Sequence, residues 1–195
     1  MADWKQYYKN LEGRAPRPFF LEALNTLEAN NADLTAIDLG CGDGTESIHL
    51  LEQGWHVTAI DAEASAIQSL FKRCDPELRE NLRVQVSSFE KAALPQADLI
   101  YAGLSLPFCQ PDKFQNLWQN IQDALIKGGS FAAHFFGPND SGASSETMTF
   151  VNKVELEELL EPFDIKLIRE LEEDSKTALG HEKHWHYFEV IAKKT

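Results

Sequence analysis

The chain has 195 residues, 43% of them apolar and 10% aromatic, with 18 basic side chains against 31 acidic ones and a formal net charge of −13. That length supports one well-buried core and is short for two, and the acidic balance, relieved by no local basic patch, repels polyphosphate backbones and argues against nucleic acid as a partner. The longest apolar runs are strand-sized and interrupted and the first 20 residues are polar and aromatic, so neither a membrane span nor a secretory leader is expected and the chain reads as cytoplasmic.

In chain order, the lead "DWKQYYKNLEGRAPRP" is broken by Gly13, Pro16 and Pro18 and passes into an amphipathic segment over about 18–28. Strands are predicted at 35–39, 56–61, 82–87, 97–102 and 130–136, helices at 45–53, 64–72 and 111–126, and a short turn near 91–94. This alternation predicts an α/β sheet covered by helices on both faces. A polar loop, "GPNDSGASSETMT", precedes a helix at 153–160. Two strand-like runs follow, around 165–171 and 184–192, joined by a connection containing Gly180. No helix fits between them, so they should pair as an antiparallel hairpin at or within the sheet. The expectation is one domain over 1–195, with a helical lid segment at 1–30, a cofactor-binding core at 31–137 and a C-terminal helix and hairpin at 138–195.

The stretch "TAIDLGCGDGTESIHLL" sets Gly40, Gly42 and Gly44 on a tight turn between a strand and a helix, where bare backbone lets a ligand approach closely. Asp61 lies 21 positions after Gly40, at the end of the next strand, where a carboxylate accepts both hydroxyls of a ribose. Strand, glycine turn, helix, strand and acid in this order point to an adenosine-containing ligand. The turn carries Asp38, Asp43 and Glu46 with no Lys or Arg beside them in sequence. A pyrophosphate buried there without a cation is strongly disfavoured. A sulfonium-bearing amino acid, which brings an ammonium and a sulfonium against a single carboxylate, suits the acidic turn.

"AIDLGCGDG" followed by "VTAIDAEASAI", then "VQVSSFEKAALPQADLIYAGLSLPFC" and "LIKGGSFAAHFFG", resembles the class I S-adenosylmethionine-dependent methyltransferases, with the tellurite-resistance-like and small-molecule enzymes as the nearest branch. The resemblance implies a Rossmann-like, doubly wound, mostly parallel seven-stranded sheet with an antiparallel last strand. It also implies S-adenosylmethionine as cofactor and a small-molecule methyl acceptor. In that family the first-motif acid, here Asp38, lies near the methionine part with the glycine turn, Gly40 and Gly42, beneath it. Asp61 holds the ribose and Ala62 packs at the adenine. Ser88 and Phe89 stand where the family often has an Asp and an apolar residue at the adenine edge, and Ala102 and Gly103 would line the cofactor near its methyl group. Ser88 departs from that Asp, which leaves Phe89 to offer its backbone amide and ring.

The lead supplies Trp4, Tyr7, Tyr8, Arg14 and Arg17, an aromatic and cationic set able to cap the pocket, with Arg17 a candidate partner for the cofactor's carboxylate. Methyl transfer needs a base only if the acceptor must lose a proton. Candidates lie where strands end on the cofactor side: His134 on the fifth strand, and His184 and His186 at the start of the last, which begins where its parallel neighbours finish. His184 and His186 share a strand face and could join His181 on a metal, but no acid or thiol is spaced to complete a site, so none is expected. Cys41, Cys74 and Cys109 are odd in number, lack C-x-x-C spacing and read as reduced thiols. "AGLSLP" lacks the second glycine of a nucleophile elbow around Ser105, while "SLPF" has a faint likeness to the Asn-Pro-Pro-aromatic loop of amino-group methyltransferases. The alternatives to a methyltransferase are a non-catalytic cofactor-binding or regulatory module and an NAD-dependent oxidoreductase, for which Thr45 stands where the G-x-G-x-x-G spacing wants glycine.

Overall fold

Seven strands form one sheet in the computed structural model, which describes residues 4–11, 13–27 and 33–195. The strands are β1 (Thr35–Leu39), β2 (His56–Asp61), β3 (Leu82–Val86), β4 (Ala97–Ala102), β5 (Leu125–Phe136), β6 (Phe163–Lys176) and β7 (Glu182–Lys194), in spatial order β3-β2-β1-β4-β5-β7-β6. β1 to β5 run parallel, and β7 inserts antiparallel between β5 and β6. This is the Rossmann-like sheet with an antiparallel strand near its C-terminal edge that the sequence predicts.

Helices α1 (Trp4–Leu11), α2 (Pro18–Asn25), α3 (Thr45–Glu52), α4 (Ala64–Arg73), α5 (Pro111–Ala124) and α6 (Lys153–Leu160) complete the element order. The central strands β1 and β4 are buried along almost their whole length because both their faces are covered. On one face, α5 presents Phe114, Leu117, Trp118, Ile121 and Ala124 at helical spacing and packs them with Phe131, Phe135 and Phe163. On the other, Phe19, Phe20 and Ala23 of α2 pack with Leu50, Leu51, Trp55 and Tyr101. Pro111 opens α5 where its missing N–H costs no bond, and Asn152 with Glu155 closes a reciprocal capping box on α6. Among the described residues, no helix is long and apolar enough to cross a membrane.

Three boundaries differ from the sequence reading. The lead that Gly13 and Pro16 interrupt contains a regular helix, α1, just before the break; residues 1–3, 12 and 28–30 of the predicted lid lie outside the described residues. The fifth strand begins at Leu125, five residues early, because Leu125 pairs with Ala97 of β4 ahead of a register shift, and Lys194 Nζ donates to the Gln122 and Leu125 carbonyls (2.6 and 2.7 Å) at the end of α5. The hairpin is longer than predicted. The acidic run 170–174 lies within β6 because β7 sets two imidazoles across from it: Asp174 faces His184 and Glu172 faces His186 in register.

Candidate cofactor and acceptor cleft

Between β1 and β4 the chain order reverses, and beyond their C-terminal ends opens a cleft of about 720 Å³, the place where open α/β sheets bind ligands. The glycine turn forms its floor. Gly40 and Gly42 have φ of 80° and 53°, and the space is as demanding as the backbone: a Cβ on Gly40 would sit 2.3 Å from Ser105 Cβ. Ser105 is held there because its hydroxyl donates to the Leu39 carbonyl (2.5 Å). That hydroxyl closes the β4 loop onto the turn and leaves no nucleophile elbow.

Asp61 is fixed from behind by backbone donors. Its Oδ2 accepts from the Gly42 N–H and its Oδ1 from the Glu63 N–H, both at 2.9 Å, while the Tyr8 hydroxyl stands 3.4 Å from each oxygen. Burial raises its pKa against those donors. The Tyr8 ring covers Gly42, so α1 roofs the turn.

The acidic turn is less bare than the sequence suggests. Arg14 reaches Glu46 through both terminal nitrogens and also contacts Asp43 (3.3 Å), and Arg73 of α4 meets Asp43 from the other side at 2.9 Å. Two cations distant in sequence thus neutralise two of the three carboxylates. Asp38 differs: it is buried, accepts from Ser47 Oγ (2.6 Å), and makes no ion pair with a described residue. Burial pushes its carboxyl up to about 7.

Of the other predicted cofactor residues, Arg17, Ala62, Ser88, Phe89 and Gly103 line the same cleft as Asp38, Gly40, Gly42 and Asp61. Ala102 does not; it is fully buried in β4 among core side chains. The three predicted catalytic histidines are not among the lining residues either. His134 is buried against Phe19 and Tyr187, its Nε2 is 3.6 Å from Glu189, and its Nδ1 accepts from the Leu104 N–H at 3.3 Å. Burial lowers its pKa, which keeps the ring neutral, as an acceptor at Nδ1 must be. Leu104 lines the cleft at φ 57°, a left-handed conformation uncommon for a branched residue, and His134 supports it from beneath. His186 Nδ1 accepts from the Asn139 N–H (3.0 Å) and its Nε2 meets Glu170, while His184 bonds Glu172 and Asp174. Both brace the hairpin and the loop after β5.

The far end of the cleft is a wall of rings that the sequence only partly announces. Trp4 meets Phe108 edge-on at 4.7 Å between centroids, Phe108 meets Phe136 at 6.4 Å, and Phe136 meets Trp185 at 5.9 Å. Lys183 Nζ lies 5.1 and 4.5 Å from the Phe136 and Trp185 ring centres and is neutralised by buried Asp140. Trp185 and Lys183 are missed by sequence reasoning because only the antiparallel placement of β7 brings its first residues beside Phe136.

Residues 36–129 match the family model described as "Methyltransferase domain". By that match, residues 36–129 carry a methyltransferase domain. A search of curated proteins by sequence finds no match. Among solved structures, TehB from Haemophilus influenzae is similar at 16% identity over 98% of this chain and 67% of that one, with a TM-score of 0.78. A SAM-dependent methyltransferase from Methanosarcina mazei is similar at 20% identity, 93% and 99% coverage and a TM-score of 0.68. The 1,6-didemethyltoxoflavin-N1-methyltransferase of Burkholderia thailandensis, solved with 1,6-didemethyltoxoflavin and S-adenosylhomocysteine, gives 22%, 97%, 84% and 0.66. At these identities the likenesses speak for the fold, and the family match speaks for the class, whose methyl donor is S-adenosylmethionine. The cleft brings together a carboxylate held by backbone amides, a turn that only glycine can make, and a buried acid with no ion-pair partner among the described residues.

Proposed function

We propose that this methyltransferase moves the methyl group of S-adenosylmethionine to a small, flat, partly apolar acceptor seated against Trp4, Phe108, Phe136 and Trp185. The observation that carries this reading is the unbroken line of rings adjoining the glycine turn in one cleft. Rings on several sides favour a planar or cationic guest, and a wall whose one cation is already paired disfavours a polyanion.

In this reading Asp61 takes the ribose hydroxyls, Ala62 and Phe89 flank the adenine, and Asp38 faces the amino-acid end above Gly40 and Gly42. Bound there, S-adenosylmethionine supplies an electrophilic methyl on a positively charged sulfur. The chain's own contribution is alignment and exclusion of water. Trp4, Tyr7, Tyr8 and Leu11 of α1 roof the cleft, and the Asn10 side chain ties α1 to the Ala178 carbonyl of the hairpin turn (2.8 Å). His134, which supports Leu104, serves as a positioning residue, and His184 and His186 as braces of the acceptor wall.

Incubation with S-adenosylmethionine and a small-molecule extract, read by mass spectrometry, is expected to yield protein-dependent single-methyl gains on compact aromatic or heteroaromatic compounds. Phe136→Ala and Trp185→Ala should each raise the acceptor KM about tenfold or more and leave cofactor affinity within about threefold. Methylation confined to protein or nucleic acid would overturn the acceptor assignment.

A further inference from the structure

Lys183 stands near the start of β7, its side chain 15% exposed, and lines the cleft beside Phe136, Gly142 and Trp185. Its Nζ donates to Asp140, whose side chain is fully buried, and lies 5.1 and 4.5 Å from the Phe136 and Trp185 ring centres. An ammonium has three N–H donors, and Asp140 takes one of them; the rings attract its charge but offer no lone pair. Among the described residues the other two donors meet no hydrogen-bond acceptor.

The fold of the loop after β5 does not call for this cation. Asp140 Oδ1 also accepts from the Gly142 N–H (2.8 Å) and its Oδ2 from the His186 N–H (3.4 Å), which pin the loop to β7 through neutral donors. An ion pair with one partner wholly buried carries a desolvation cost that apolar side chains avoid, and a methionine at 183 would continue the wall of rings. What the ammonium adds is a hydrogen-bond donor in an apolar wall, the kind of polar group that fixes a ligand's orientation in a cleft. Gly142 keeps that donor approachable: a Cβ there would lie over the pair, 3.1 Å from Asp140 Oδ1 and 3.9 Å from Lys183 Nζ.

Charge decides which group the donor suits. Asp140 cancels the ammonium, and acids outnumber bases among the side chains lining the cleft. A carboxylate would add negative charge to that set, whereas a carbonyl oxygen accepts an N–H and adds none. We propose that Lys183 is a specificity-determining residue of the acceptor site, donating to a carbonyl oxygen on an uncharged, flat acceptor that lies against Phe136 and Trp185. This rests on the acceptor reading above and narrows it to carbonyl-bearing rings.

The test is an NMR titration of the protein saturated with S-adenosylhomocysteine. Chromone and indanone carry a ring carbonyl, naphthalene and indane share their outlines without one, and naphthoate carries a charge instead. Each carbonyl probe is expected to bind about tenfold more tightly than its hydrocarbon counterpart, and naphthoate no more tightly than naphthalene. Lys183→Met should erase the carbonyl preference and leave the hydrocarbons within about twofold. Thermal unfolding checks that it folds; the double change Lys183→Met with Asp140→Asn, which strands no buried charge, carries the same expectation. Equal affinity within each pair, a carbonyl preference that survives in the variants, or equal losses for all probes would each overturn the proposal, the last by showing Lys183 to be a brace of the wall. Naphthoate as the tightest ligand would overturn its choice of an uncharged acceptor. Failure of every probe to bind, or binding that Phe136→Ala leaves unchanged, would overturn the ring-wall reading itself, a result distinct from these.

Discussion

Asp61 and Asp38 are both buried carboxylates at strand ends, yet the structure prepares them for different partners. Asp61 has two backbone donors behind it and so presents its remaining lone pairs in a fixed direction. Asp61→Ala is expected to weaken S-adenosylhomocysteine by about 1.5–3 kcal/mol, the range for hydrogen bonds to a charged group, and unchanged affinity by calorimetry would show that the carboxylate faces another partner. Asp38 has one hydroxyl donor and no cation, and burial lifts its carboxyl to about 7. A bound cation favours its ionised form, so its pKa falls on binding and the complex takes up fewer protons than the free protein. Cofactor affinity should therefore fall as pH drops through 7, by about tenfold between pH 8 and pH 6. Asp38→Asn should flatten that profile. Asp38 and Asp61 are legible from sequence because a glycine turn and a strand end fix their places.

At the scale of elements, α1 and the hairpin tip do the enclosing. The aromatic lead identifies a lid by composition, but its helix and its tie to Ala178 depend on β6 and β7 extending past the sheet, which the charged run 170–174 conceals. Asn10→Ala removes that tie, and release of S-adenosylhomocysteine in stopped flow should quicken about three- to tenfold, as for a single hydrogen bond; an unchanged rate would mean that α1 does not gate the cleft. The hairpin tip is expected to respond to pH. Asp174 and Glu172 hold the His184 pKa above its ordinary value. A raised imidazole pKa contributes stability that is full below the unfolded value near 6.5 and is lost as pH rises through the folded one. Amide exchange around 172–184, corrected for its intrinsic pH dependence, should thus show less protection on the alkaline side of that window, and His184→Gln should abolish the difference. The predicted acid–base role of His134, His184 and His186 came from topology, which places strand ends but not side-chain faces; their rings face carboxylates and backbone amides away from the cleft lining.

For the whole molecule, alternation of apolar runs with amphipathic segments is enough to read a doubly wound sheet, because burial on both faces keeps the central strands mostly apolar. The same reasoning found the hairpin, since no helix fits between its strands. It did not reach the two long-range arginine clamps on the turn, Arg14 from the lead and Arg73 from α4, which couple the lid and the second βα unit to the floor of the cleft. The central claim, that this cleft is built for S-adenosylmethionine, is tested most directly by thermal unfolding in parallel titrations with S-adenosylmethionine and NAD. S-adenosylmethionine at 100 times its Kd should stabilise the protein by about 2.7 kcal/mol, with no shift from NAD at equal concentration; stabilisation by NAD alone would contradict the account.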